Sequence, residues 1–558
     1  MPHTSPGRLG RVRDAVVRQA HGSLPGLWTA LAFATLSFTP SLLPRPSLFQ
    51  GLVAAVTGAI GYALGVLGAW VWREFAGREP REPSRRRWRV LAGVATALLL
   101  LAMLVGRHWQ QQLRGLNDLD GEPWPALALV PVVGALTFAL LICAARGLRY
   151  LSRRWSAWLG ERMGARAARA LGIVSLTLAL LLGVTGVLGD ALLAAFDEAA
   201  AVADARTPEG AEQPTTALRS GGPDSLVDWE TLGYRGKEFL SGGPGAEEIS
   251  AWSGGPALDP VRAYASIDTE PDLFDRAQLV VDDLERAGGF ERSYLLVVTT
   301  TGTGWVEPSA SDSFEYLTGG DSAIASMQYS YQPSWLSYLV DPEVAGAASR
   351  ALFDAVYARW AQLPVEARPK LYVFGESLGS FGTETAFSGV GDLANRVDGA
   401  LLVGPPSFNT LYPQLTDDRE PGSPQIEPVF DGGEVVRFSR RPATSIPPED
   451  AAWPGSRVLY LLNPSDPITW WSPDLLFSRP DWLEEERGEE LLDAMHWLPV
   501  VTFWQTSVDL AMAFSMPPGR GHNFTGEHVD GWAAVLDVPA WDQERSRSLR
   551  AIIIANAE

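Results

Sequence analysis

The hydrophobic rhythm of the chain changes near position 195. Before that point, long apolar runs at 24–43, 48–72, 90–106, 124–145 and 170–193 are separated by short stretches rich in arginine. Most of the runs approach the ~20 residues that cross a bilayer core. The third is shorter, but Trp88 and Trp109 flank it as interfacial anchors. One such run alone reads equally well as a buried core helix. Five in succession between basic loops predict a multi-span domain over 1–195. The first run does not look like a cleavable leader, because it has no small-residue cleavage site and ends in Thr39-Pro-Ser-Leu-Leu-Pro-Arg45.

After 195 the pattern shortens. Residues 196–255 are rich in Gly, Pro, Ser, Asp and Glu, which predicts a linker with some local structure near 229–239. From 256 to 558, short apolar segments alternate with helix-like ones. Strands are expected at 261–267, 294–298, 325–331, 371–374, 400–403 and 458–462, with a loop of roughly fifty residues before the last. Helices are expected at 272–287, 344–363, from 378 onward, and over the charged stretch 482–497. Such alternation predicts a mostly parallel sheet with helices on both faces, and ligand-handling residues beyond the carboxyl ends of its strands.

Charge sharpens the division. Up to Asp190 there are 21 Arg and no Lys against 9 acidic residues, whereas the remainder holds 24 basic and 56 acidic residues, giving the net −20. The acidic part argues against a nucleic-acid partner. Arginines concentrate in the N-terminal tail, the second-to-third loop and the loop 146–169; the opposite loops hold only Arg45, Arg107 and Arg114. By the positive-inside rule the N-terminus is cytoplasmic, and five crossings place the rest of the chain outside. If 170–193 were instead a surface helix, the acidic part would be cytoplasmic. The loop 146–169, with Trp155 and Trp158, either sets topology or lies along the anionic inner leaflet. The lone cysteine, Cys143, excludes intrachain disulfides and argues against thiolate chemistry.

Chemistry gathers around Lys370-Leu-Tyr-Val-Phe, an apolar run that stops at Gly375-Glu376-Ser377-Leu378-Gly379. In a G-x-S-x-G turn the serine takes a strained strand-to-helix conformation, and side chains two positions to either side would clash. The pentapeptide by itself reads equally as a glycine turn. A serine nucleophile needs a base and an orienting acid. Of six histidines, His522 lies in the glycine-rich loop Pro517-Pro-Gly-Arg-Gly-His-Asn523 and is preferred to His528 in the helix-like stretch that follows; His496 reads as structural. Asp466, in Asn463-Pro-Ser-Asp466-Pro, directly follows an apolar strand, with Asp474 and Asp398 as weaker rivals. The order Ser, Asp, His suits an α/β-hydrolase. The amide of Leu378 and the loop after 294–298, containing Thr301, Gly302 and Thr303, are candidate oxyanion donors, against the plainer reading of an ordinary loop. That loop lacks the lysine of a phosphate loop, and no metal or organic cofactor is implied.

The segments SFTPSLLPRP, TTTGTGWVEP, QYSYQPSWLSYLVD, FGESLGS, VGPP, NPSDPITWW, RPDWL, VTFWQ and GRGHNF together resemble an actinobacterial family of membrane-bound α/β-hydrolases. Its members pair an N-terminal multi-span domain with a C-terminal hydrolase domain. The resemblance implies a nucleophile at Ser377, an acid at Asp466 and a base at His522, but no substrate. Arg520 stands where the resemblance implies a small residue before the last Gly-His. The expected fold is therefore a bundle of about five membrane helices followed by an α/β-hydrolase domain. The expected function is a membrane-anchored serine hydrolase or acyltransferase acting on a lipid or other acyl ester. The aromatics at 329–338 and Trp470–Trp471 line its pocket or simply pack. The alternative is a non-catalytic membrane scaffold or transport accessory, disfavoured because the apolar runs hold almost no ionisable residue at mid-depth.

Overall fold

The first helix, α1 (Leu24–Leu36), starts where the Ser23 hydroxyl accepts the Gly26 amide at 3.4 Å, with a proline in its first turn. In the computed structural model, which describes residues 23–79, 83–161, 197–333, 342–449 and 451–557 plus scattered positions at 164–178 and 336–337, α1 packs along α2 (Ser47–Ala76). Small residues make this approach possible. A β-carbon at Gly61 would lie 2.7 Å from the Thr29 carbonyl, and the Thr29 hydroxyl donates to the Gly61 carbonyl at 2.6 Å.

Two further long helices follow, α3 (Arg85–Leu116) and α4 (Leu129–Gly160), the latter preceded by the 3₁₀ turn Trp124–Ala128. The spans Ser47–Ala76, Arg85–Leu116 and Trp124–Gly160 are each long and apolar enough to cross a membrane. Leu100, Leu101, Leu104, Leu136 and Leu140 expose more than half of their surface, an arrangement costly in water and natural in lipid. At 13 residues, or about 20 Å, α1 is too short to cross. The expected span at 24–43 breaks because Pro40, Pro44 and Pro46 turn the chain into the buried segment 37–46. The expected fifth span, 170–193, lies largely outside the described residues. The basic loop expected at 146–169 is helical up to Gly160, so Arg146, Arg149, Arg153 and Arg154 extend α4 and Trp155 stacks on Trp158.

The chain forms two units, and the division corrects the sequence-based boundaries. The first unit comprises residues 1–177 together with 473–483 and 489–512; the second comprises 178–472, 484–488 and 513–558. The stretch expected to be a linker at 196–255 belongs to the second unit. Its Val227, Trp229, Leu232, Phe239 and Leu240 join the core of the sheet, and the Ser220 amide donates to the Arg262 carbonyl at 3.0 Å. Those apolar residues are too sparsely spaced to show a period, but each finds a buried place. The charged helix expected at 482–497 is absent. Only a 3₁₀ turn forms at Asp481–Leu483, because Glu485 is drawn to Arg419 at 2.6 Å and to the Gln425 amide at 2.6 Å.

The second unit is built on seven parallel strands in the order β1-β3-β2-β4-β5-β7-β6. They are β1 (Val261–Ala265), β2 (Tyr294–Thr299), β3 (Ser322–Met327), β4 (Lys370–Glu376), β5 (Gly399–Val403), β6 (Val436–Ser439) and β7 (Arg457–Leu461). Helices Leu273–Arg286, Pro342–Ala361, Leu378–Thr385 and Glu527–Val535 are among those that cover it. Burial on both faces explains the near-continuous apolar strands. β6 was not anticipated, being a four-residue edge strand inside the expected long loop. From β2 the chain moves one way to β3 and then returns past β2 to β4. The crevice at the carboxyl ends of β2 and β4 is thus a topological switch point.

Candidate active site

Ser377 follows β4 directly and holds φ 54°, ψ −124°, a left-handed conformation that side chains other than glycine's avoid. Strain of this kind costs of order 1–3 kcal/mol and persists only where the surroundings enforce it. Here they do. A β-carbon at Gly379 would sit 2.6 Å from the Thr299 carbonyl, and one at Gly375 would overlap Gly379 itself. The Ser377 amide donates to the Val403 carbonyl at 2.9 Å, and its carbonyl accepts the Ser380 hydroxyl at 2.6 Å. Leu378 opens the helix Leu378–Thr385, so its amide belongs to the positive end of that helix.

Asp466 and His522 meet. The chain turns after β7 so that Asp466 caps the short helix Pro467–Trp470, accepting the Ile468 amide at 2.8 Å on Oδ1 and the Thr469 hydroxyl at 3.2 Å on Oδ2. Oδ2 also lies 2.6 Å from His522 Nδ1, with both side chains fully buried. The two loops are stitched together: the Gly521 amide donates to Ser465 Oγ at 3.0 Å, and Asn463 Nδ2 donates to the Gly521 carbonyl at 3.1 Å. The imidazole stands edge-on to Phe514 and Phe524 and rests on the bare backbone of Gly404, where a β-carbon would lie 2.5 Å from Cε1. Gly404 follows Val403, the residue bonded to the Ser377 amide, so Ser377 and His522 share the carboxyl end of β5. His522 Nε2 is buried and has no protein partner among the described residues. Burial opposes protonation of His522, but the Asp466 carboxylate, helped by Glu376, leaves its pKa above the ordinary 6.5.

The loop after β2 is a tight turn in which the Thr301 amide donates to the Trp305 carbonyl at 3.1 Å and the Gly304 amide to the Thr301 carbonyl at 2.8 Å. Tyr264 hydroxyl supports it through the Gly304 carbonyl at 2.9 Å. Thr301 therefore spends its N–H inside the loop, which narrows the expected oxyanion donors there to Gly302 and Thr303.

The rival residues are occupied elsewhere. Asp398 lies at the opposite end of the sheet, accepting the Leu371 amide at 2.7 Å. Asp474 and His496 belong to the first unit. Trp470 donates to the Asn463 carbonyl at 3.0 Å and is 3 % exposed, a packing role; the aromatic stretch at 329–338 falls partly outside the described residues. His528 is bonded at both nitrogens, to Glu376 Oε2 at 2.9 Å and to Ser309 Oγ at 3.0 Å.

Sequence reasoning overlooked that second polar cluster, although Glu376 lies within the G-x-S-x-G turn. Nearby, burial and the Glu376 charge push the Glu307 carboxyl up to about 8, with His528 opposing; its carboxyl is enclosed by protein even though part of the side chain reaches solvent. Glu384 was also missed. It accepts from Asn409, Tyr460, Leu411 and Tyr412 and so anchors the loop after β5 to the helix that begins behind Ser377. Among the described residues, no group of three or more His, Cys, Asp and Glu converges as a metal site.

A parallel sheet with a strained serine at its switch point and a buried Asp–His pair beside it defines a hydrolase-type α/β architecture. A family model described as alpha/beta-hydrolase family matches residues 261–549, and one described as the N-terminus of that family matches 38–244. The chain belongs to this alpha/beta-hydrolase family. No curated protein and no solved structure matches it significantly.

Proposed function

We propose that the protein is a membrane-anchored serine hydrolase, or an acyltransferase, acting on ester-linked acyl groups of a lipid or other envelope component. The observation that carries the reading is His522 Nε2, without a partner among the described residues, on a ring held by Asp466 at 2.6 Å near a strained Ser377. An unsatisfied buried ring nitrogen costs about 1–3 kcal/mol, and the hydroxyl of a nucleophile gives it a purpose. In this mechanism Nε2 takes the Ser377 hydroxyl proton as Oγ bonds to the acyl carbon. The oxyanion collects the amides of Leu378 and of Gly302 or Thr303. His522, now imidazolium and stabilised by Asp466, returns the proton to the leaving alkoxide as the carbon–oxygen bond breaks. Water or an acceptor alcohol then resolves the acyl-enzyme by the same proton route.

The arginines support an orientation. Arg73 lies near the end of α2, Arg85, Arg86, Arg87 and Arg89 open α3, and Arg146, Arg149, Arg153 and Arg154 end α4. In successive crossings those three ends share one side, and the positive-inside rule makes it cytoplasmic. With 170–193 as a further crossing, the catalytic unit is extracytoplasmic. A carboxyl-terminal alkaline phosphatase fusion tests this and is active only if the proposal holds.

The decisive test of the chemistry is a serine-directed fluorophosphonate probe on the full chain. Covalent labelling that vanishes in Ser377→Ala supports the enzyme. Absence of labelling in well-folded parent protein favours a non-catalytic scaffold.

A further inference from the structure

A line of buried polar side chains, all within the second unit, joins the loop after β5 to the helix that begins behind Ser377. The line ends on the nucleophile. Ser380 Oγ donates to the Ser377 carbonyl at 2.6 Å, alongside the Ser380 amide at 3.0 Å and the Phe381 amide at 3.4 Å. Asn409 Nδ2 donates to Ser380 Oγ at 3.1 Å and to Glu384 Oε1 at 2.8 Å. Glu384 Oε2 in turn accepts the Leu411 amide at 2.6 Å and the Tyr412 amide at 3.3 Å. Ser380, Glu384 and Asn409 are all buried.

The protons along this line fall into place one by one. Backbone amides only donate, so Glu384 Oε2 is an acceptor. Asn409 Nδ2 carries two N–H groups, and Glu384 and Ser380 take both. Ser380 Oγ is thus an acceptor toward Asn409, which commits its own single proton to the Ser377 carbonyl. The loop that presents Asn409 is itself tied down. Its Gly404 amide donates to the Leu461 carbonyl at 3.0 Å, Ser407 Oγ to the Trp471 carbonyl at 2.6 Å, and the Asn409 amide to the Pro406 carbonyl at 3.1 Å. Asn409 is therefore a fixed point against which the first turn of the nucleophile's helix is set. That matters because Ser377 holds φ 54°, ψ −124°, and strained backbone persists only where its surroundings over-determine it.

We infer that Asn409 is a positioning residue for Ser377, acting through the Ser380 hydroxyl and oriented in turn by Glu384. The inference rests on the serine-hydrolase reading above. In that mechanism Asn409 touches no reacting atom; it fixes the backbone from which Ser377 Oγ reaches the acyl carbon. Without it the Ser380 hydroxyl is free to turn away, the Ser377 carbonyl loses its side-chain donor, and Oγ drifts from the line of attack. The base is held by other bonds. His522 keeps Asp466 at 2.6 Å, and Gly404, on which its ring rests, keeps its own tie to Leu461. Loss of Asn409 therefore slows proton transfer without changing the pH at which the imidazole titrates.

The experiment follows the rate of fluorophosphonate labelling per folded molecule against pH, for the full chain in detergent micelles. It compares the parent with Asn409→Ala, Ser380→Ala and Tyr460→Phe. Displacing a catalytic group by about 1 Å costs on the order of a hundredfold, so Asn409→Ala and Ser380→Ala should each slow labelling by about tenfold or more. The acid limb of the rate should stay where the parent has it. Tyr460→Phe is the control for a purely stabilising role. Its hydroxyl donates to Glu384 Oε1 at 3.0 Å, so the variant weakens the same buried hub but leaves Asn409 and Ser380 in place. It should lower the thermal midpoint and keep the labelling rate within a few-fold of the parent. Parental rates in Asn409→Ala and Ser380→Ala overturn the inference, as does a Tyr460→Phe protein slowed equally. An acid limb that moves together with the rate also overturns it, by assigning the effect to His522. Should Asn409→Ala fail to fold, Ser380→Ala removes only one oxygen and decides the matter alone. A parent that is not labelled at all overturns the serine-hydrolase reading itself, so the two failures are distinct.

Discussion

Two buried histidines, His522 and His528, stand close together in the sequence, and each faces a carboxylate, Asp466 at 2.6 Å and Glu376 at 2.9 Å. They differ in the second nitrogen. That of His528 is taken by Ser309, so the ring joins the end of β4, the helix Pro308–Leu317 and the helix Glu527–Val535 into one joint. That of His522 meets nothing among the described residues. A fully bonded imidazole in the interior is a rivet; a half-bonded one near a strained serine is the base of the mechanism proposed above. The difference lies in geometry, because both residues are buried, aromatic-flanked and paired with an acid.

The comparison breaks most visibly at the base. Ser377→Ala and His522→Ala are each expected to abolish fluorophosphonate labelling per folded molecule or lower it by at least about a thousandfold; Ser377→Ala keeps thermal stability near that of the parent, whereas His522→Ala leaves the buried Asp466 carboxyl without its partner and lowers it. Retained labelling in Ser377→Ala would remove Ser377 as the nucleophile, and retained labelling in His522→Ala would remove His522 as the base. Next comes Asp466→Asn, which keeps the shape but removes the charge that Nδ1 relies on; labelling should fall about 10³–10⁴-fold. The same carboxylate holds the His522 pKa above 6.5. Only neutral imidazole accepts the proton, so parental activity rises with pH through a midpoint above 6.5, and residual Asp466→Asn activity should show that midpoint lowered. An unmoved acid limb would mean that another group titrates.

His528→Ala tests the other side. It leaves the buried Glu376 carboxyl without its hydrogen-bond partner, and an unsatisfied buried polar group costs about 1–3 kcal/mol. The expected outcome is a clearly lower thermal midpoint with labelling per folded molecule within a few-fold of the parent. A His528→Ala protein of normal stability that had lost labelling would make His528 the base.

Much of this contrast was legible before the fold was known. The order Ser377, Asp466, His522, the strand before each of the first two, and the glycine loop around His522 are local signals that sequence carries well. The fate of His528 was not legible, because its partners Glu376 and Ser309 come from distant strands and helices and their pairing leaves no period in the chain. The same holds for segment 196–255, whose turn-rich composition hides Trp229, Phe239 and Leu240 in the core, and for β6, too short to register. It holds most for 473–512. That stretch reads as a continuation of the hydrolase half, yet its Gln505 and Asp509 bond to the backbone of segment 37–46.

The smallest expected effect concerns Glu307, whose carboxyl lies within reach of the His528 joint. Its pKa is pushed from 4.5 to about 8, first by burial and then by the charge of Glu376. A carboxyl whose folded pKa exceeds its unfolded value favours folding while protonated. Its contribution is complete below 4.5 and is lost as pH rises through about 8. Glu307→Gln can still accept the Ser309 amide, now received at 3.1 Å, but it cannot ionise. Its thermal midpoint relative to the parent should therefore rise by a few degrees between pH 6 and pH 9, measured by thermal shift in detergent. A constant difference across that range would show that Glu307 is ionised in the folded protein throughout. The labelling rate separates the two histidines once more: His522 is governed by Asp466 and Glu376, so Glu307→Gln should leave its acid limb in place. Stability would then titrate on the His528 side of the molecule and catalysis on the His522 side.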